Sequence, residues 1–154
     1  MVLSCLGCGE PDPSWVSPVA FDTAVAWIRS GADSTGLLVE VARTADQRSF
    51  GLMLRPRLDA GSGMIFVYDE PQADRAGFWM WRTRMPLDIA FADSTGVIVR
   101  ILEMEPCASI YRQGCPIYQP GEGYWSALEV NRGWFAERGI GIGAVLKLDT
   151  LAQS

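Results

Sequence analysis

Nearly every apolar run in this chain is short and alternating, and each stops at a cluster of turn-forming residues. That pattern commits the chain to strands and short connections, with no long helix. Phe21 to Ile28 alternates, Ser30 to Gly36 turns the chain, and Leu37 to Arg43 alternates again, which predicts a β-hairpin. Met64 to Tyr68 reads as a compact strand buried on both faces. Phe78 to Thr83 reads as another, with Phe78, Met80 and Arg82 on one face and Trp79, Trp81 and Thr83 on the other. Pro86 breaks that strand or confines it to an edge. Leu87 to Phe91 and Val97 to Leu102, separated by the turn Asp93 to Gly96, form a second hairpin. Ala127 to Val130 and Ala144 to Asp149 complete roughly eight strands.

Two short helices interrupt the series. Thr44 and Gln47 form a capping box for a helix running to Leu52 or Leu54, with Pro56 helping to end it. Asn131 suits the N-cap of a helix over 132–138, and Gly139 suits the position just past its end. Glu105 to Trp125 is a long loop rich in Pro and Gly, of a kind that is usually functional or stapled. There is no βαβα series and no internal repeat, so the expected fold class is α+β, mostly β. The expectation is a single domain with a curved or barrel-like, mainly antiparallel sheet and two short helices. Residues 1–18 have linker composition and 19–154 form the globular domain.

The chain has 154 residues, a length typical of one domain. Its formal charge of −5 argues against nucleic acid and against bulk attraction to an anionic membrane. Lys147 is the single lysine among 13 basic residues; the remainder are arginine. Histidine is absent, which excludes a Ser-His-Asp triad, a Cys-His dyad and a His-based zinc site. Met53, Met64, Met80, Met85 and Met104 show no repeated ligand spacing, so they read as core filler and no metal or cofactor is expected.

The start, Met1-Val-Leu-Ser-Cys-Leu-Gly-Cys-Gly9, looks like the end of a bacterial lipoprotein signal. Cys5 or Cys8 would then carry the lipid, residues 1–18 would be the tether, and the protein would be exported, periplasmic or membrane-anchored. Cys107 and Cys115 bracket part of the long loop, and in an exported protein they are expected to form a disulfide that orders it.

Four stretches in order carry a family likeness: Gln47-Arg-Ser-Phe-Gly-Leu-Met-Leu-Arg55, Met64 to Tyr68, Phe78 to Phe91 with its Phe-Trp-Met start and Pro-Leu-Asp, and Leu128-Glu-Val-Asn-Arg-Gly-Trp134. Over about Phe21 to Asp149 the chain resembles the domain of unknown function 192 family of bacteria and archaea. Where that family usually has Lys-Asn, this chain has Trp81-Arg82. The resemblance implies a fold family and no activity.

The residues themselves suggest a site. Arg48 and Arg55 are seven apart and would share a helical face, while Arg82 comes from the aromatic segment. Converging guanidiniums suit a carboxylate, a phosphate or an acidic sugar. Trp79 and Trp81 offer flat faces for a sugar ring. Asp88 and Glu129 each sit in an otherwise apolar strand and must be paired or open to a cleft. The expected cleft lies near Arg55, Trp79, Thr83 and Asp88, beneath the Cys107–Cys115 loop. The leading expectation is a non-enzymatic envelope module for a small acidic or carbohydrate-like ligand. The alternatives are a glycosidase-like hydrolase using Asp88 and Glu129 as its carboxylate pair, and a structural or accessory protein-interaction domain.

Overall fold

The structure is a computed structural model that describes residues 14–149. Cys5 and Cys8 lie outside the described residues. Among the described residues, seven strands form one sheet: β1 (Asp22–Ser30), β2 (Asp33–Ala42), β3 (Ser62–Gln72), β4 (Leu87–Ala92), β5 (Ile98–Met104), β6 (Tyr124–Asn131) and β7 (Val145–Asp149). Their order across the sheet is β5-β4-β6-β3-β2-β1-β7. The hairpins β1–β2 and β4–β5 are where the turn signals place them. The pairing of β2 with β3 is parallel and all other neighbours are antiparallel, so the sheet is mixed.

The parallel pair requires a crossover, and the first helix supplies it. Helix α1 (Ala45–Phe50) starts at Thr44, whose hydroxyl accepts from the Gln47 backbone N–H at 3.1 Å. The Gln47 side-chain oxygen accepts in return from the Thr44 N–H at 3.0 Å. The capping box therefore stands, but the helix is shorter than expected. Gly51 ends it at φ 51° and ψ −132°, a conformation closed to residues with a Cβ, before Pro56 is reached. Helix α2 (Trp134–Glu137) is also shorter, and Gly133, at φ 85°, takes the cap. Asn131 instead stays in β6 and donates its side-chain amide to the Leu58 carbonyl at 2.8 Å.

Two expectations need correction. The segment Phe78 to Thr83 is not an eighth strand. It makes isolated bridges at Phe78–Tyr118 and Trp81–Cys107, and Arg82 at φ 57° turns it out of the extended region. The sheet is curved but not a closed barrel. The turn ahead of β5 meets the start of β7 through Ile98 N–H to Ala144 O at 2.8 Å and Leu146 N–H to Gly96 O at 2.7 Å. That contact stops at the one bridge Val97–Val145, so no ladder seals the edges.

Strand alternation divides the core between the two faces of the sheet. The concave face carries Ile28, Val39, Ile65, Leu128 and Leu146, plugged by Trp134 and Phe135 of α2. The convex face of β3, β6 and β4 carries Met64, Phe66, Ile89, Phe91 and Ala127. Over it lie Leu52 from the turn after α1, Phe78 and Met80. Met64, Met80, Met85 and Met104 are all buried there as packing.

Candidate functional site

The site follows from where β6 puts its one polar inward residue. Glu129 pairs in register with Met64 of β3 and Ile89 of β4, so its side chain emerges on the convex face. Asp88 pairs with Val130, a residue of the concave face. The two carboxylates therefore leave opposite sides of the sheet and cannot flank one glycosidic bond. Asp88 is also engaged already: its Oδ2 accepts from the Gly133 N–H at 2.8 Å and its Oδ1 forms an ion pair with Arg132 Nε at 3.0 Å. Arg132 holds Glu105 at 2.7 Å as well, so this cluster ties β4, β5 and the start of α2 together. Burial raises the Asp88 carboxyl above its ordinary range, opposed by the Gly133 hydrogen bond and the Arg132 charge.

Glu129 is different. It is 4% exposed, and among the described residues no hydrogen bond or ion pair reaches it. Burial alone pushes its carboxyl up to about 8, so it is mostly protonated at neutral pH. It lies in the wall of a cavity of about 270 Å³ beneath α1 and the aromatic segment. Arg48, Phe66, Tyr68, Trp79 and Thr83 share that wall.

Each wall residue has a local reason for its place. Tyr68 follows Phe66 on the same face of β3, and Arg48 in α1 stacks its guanidinium over the Tyr68 ring at 4.8 Å. Arg48 also donates Nη1 to the Val67 carbonyl at 3.2 Å and to the Arg43 carbonyl. It makes no ion pair with any described carboxylate. Burial raises the Tyr68 phenol, while the Arg48 charge opposes the rise. Phe78 packs edge-on against Phe66 at 4.9 Å, which seats the aromatic segment on the sheet. Thr83 is buried, its N–H turned back to the Met80 carbonyl at 3.1 Å. Leu54 donates its N–H to the Arg82 carbonyl at 2.8 Å, and both residues hold left-handed φ angles, 63° and 57°. That bond ties the turn after α1 to the aromatic segment.

The expected cleft is thus partly assembled. Arg48, Trp79, Thr83 and Glu129 meet in one cavity. Arg55 does not join them. The helix stops before it, and Arg55 pairs with Glu40 of β2 at 2.6 Å beside Trp15, in a separate cavity of about 350 Å³. Trp81 is stacked against Arg82 at 4.3 Å, and Arg82 is exposed. Neither lines the cavity with Glu129. The Cys107–Cys115 disulfide forms, with 5.7 Å between the Cα atoms. Tyr68 and Arg112 are participants that the sequence did not mark. Tyr68 reads as one more apolar strand residue, and Arg112 lies in a loop without a pattern.

Residues 26–148 match the profile of the domain of unknown function 192, described as an uncharacterised family. The chain belongs to this family. No curated protein matches it significantly. Among solved structures it is similar to a Sinorhizobium meliloti protein described as a candidate transcription regulator. That similarity has a TM-score of 0.76 at 27% identity, over 86% of this chain and 98% of that one. It is also similar to a Novosphingobium aromaticivorans protein of unknown function. There the TM-score is 0.74 at 27% identity, over 96% of this chain and 99% of the other.

Proposed function

We propose that this member of the family is a non-enzymatic binding module whose cavity takes a small acidic or carbohydrate-like ligand. The observation that carries the reading is Glu129, a buried carboxyl without a partner in a cavity wall that also holds Arg48. Glu129 opens onto the cavity, where a ligand oxygen can replace solvent as its partner, a hydrogen bond worth about 0.5–1.5 kcal/mol net. A protonated Glu129 donates a hydrogen bond to a ligand oxygen, and Arg48 supplies the charge for a carboxylate. Trp79 offers a half-exposed indole to a sugar face.

The disulfide and the lipoprotein-like start both support export to an oxidising envelope compartment, with any membrane attachment through Cys5 or Cys8. The regulator description belongs to the Sinorhizobium protein. For this chain, the charge of −5 and described helices of six and four residues favour no nucleic-acid role.

Calorimetric titration with galacturonate and with galactose tests the reading. Galacturonate binds the wild type, Arg48→Met weakens it by roughly tenfold or more, and galactose binds less tightly than galacturonate. Equal affinity of wild type and Arg48→Met for galacturonate, or none in either, overturns it.

A further inference from the structure

The disulfide loop reaches Trp79, a wall residue of this cavity, and brings a second guanidinium to it. The aromatic segment is gripped by the loop at two points. Phe78 and Tyr118 exchange backbone hydrogen bonds at 3.0 and 2.7 Å, and the Cys107 N–H donates to the Met80 carbonyl at 3.3 Å. Trp79 lies between those grips, and Arg112, on the part of the loop they enclose, places its guanidinium 4.6 Å from the centre of the Trp79 ring. Trp79 is itself a wall of the Glu129 cavity. Arg112 makes no ion pair with any described carboxylate.

The loop's approach is close by construction. A Cβ on Gly77 would stand 2.5 Å from the Tyr118 carbonyl oxygen, so only glycine lets the two backbones pair here. The bond between Cys107 and Cys115 closes the part of the loop that carries Arg112, and the turn Arg112–Gly114 runs into Cys115.

We infer that Arg112 is an anion-recognition residue at the mouth of the Glu129 cavity, and that the Cys107–Cys115 bond holds it there. This rests on the ligand-binding reading above and adds to it the element that selects charge at the entrance. An acid entering past Trp79 meets Arg112 first and Arg48 and Glu129 within. Arg112 is exposed, so its contribution is a partly screened one.

The test titrates the full chain with galacturonate and galactose in low salt and in 0.5 M NaCl, a screened pair being worth at most about fivefold in affinity. Arg112→Gln weakens galacturonate about threefold to fivefold in low salt and leaves galactose unchanged. Arg112→Lys recovers part of the loss, and the difference shrinks in high salt. The double variant Cys107→Ser with Cys115→Ser, or the wild type reduced by dithiothreitol, reproduces the Arg112→Gln loss. Arg112→Gln binding galacturonate as tightly as wild type, while Arg48→Met loses it, overturns this inference and leaves the ligand-binding reading standing. A wild type that binds no galacturonate overturns both.

Discussion

At the scale of single residues, Glu129 and Asp88 show how neighbours decide what a buried carboxyl becomes. Asp88 is matched by Arg132 and the Gly133 N–H, so it serves as a fastening between strands. Glu129 is surrounded by Met64, Ile89 and aromatic rings, and it stays protonated because ionising it there is costly. That state leaves a mark on stability. The folded value of about 8 lies above the ordinary 4.5, so the folded protein holds a proton that the unfolded chain releases between those pH values. The contribution of Glu129 is therefore fully present below about pH 4.5, falls as pH rises towards 8, and is constant beyond. Glu129→Gln lacks this loss. Urea unfolding at pH 4, 6 and 8 should show the variant gaining on wild type by up to a few kcal/mol as pH rises. A difference that does not change with pH contradicts a protonated Glu129. Asp88 and Glu129 look alike in sequence, each an acid among aliphatic residues. Only the register of β4 on β6 reveals that they face opposite ways.

At the scale of elements, the loop from Glu105 to Trp125 depends on its grip on the aromatic segment. Gly77→Ala puts a methyl group against the Tyr118 carbonyl at 2.5 Å and breaks the Phe78–Tyr118 bridge. We expect a loss of about 1–3 kcal/mol in stability and faster amide exchange at Phe78 and Tyr118, with α1 unaffected. Unchanged exchange at those two amides would show that the loop is held by other contacts. The hairpins and the capping box were legible because each is written in local sequence: alternation, turn residues, and Thr44 with Gln47. The ends of α1 and the state of Phe78 to Thr83 were not. Helix α1 stops at Gly51 because that residue takes a backbone conformation its apolar neighbours conceal. The aromatic segment alternates like a strand, yet its partner is the Glu105–Trp125 loop and not the sheet, and the loop meets it only at isolated bridges. The mistaken extension of α1 carried Arg55 onto the same face as Arg48; the observed turn sends it to Glu40 instead.

At the scale of the whole molecule, two cores on opposite faces of one curved sheet explain why the cavity lies where it does. The concave face is filled by α2, whereas the convex face is covered by short, irregular pieces that leave a space over Glu129. Curvature was legible from many short strands around a small core, but closure was not. Whether the edges seal depends on the approach of β5 to β7, and Gly96 fits there with its Cβ position only 2.2 Å from the Leu146 carbonyl oxygen. The net charge of −5 opposes an acidic ligand at long range, so binding must rely on the local pairing of Arg48 and the proton on Glu129. That proton can be counted. As pH rises towards 8 part of the free protein loses it, and a bound carboxylate that needs it draws it back. Titrating galacturonate calorimetrically in buffers of different ionisation enthalpy measures the exchange. The account predicts proton uptake that grows from pH 6 to pH 8 in the wild type and is absent at both pH values in Glu129→Gln. Binding with no proton uptake at pH 8, or with the same uptake in Glu129→Gln, would contradict it.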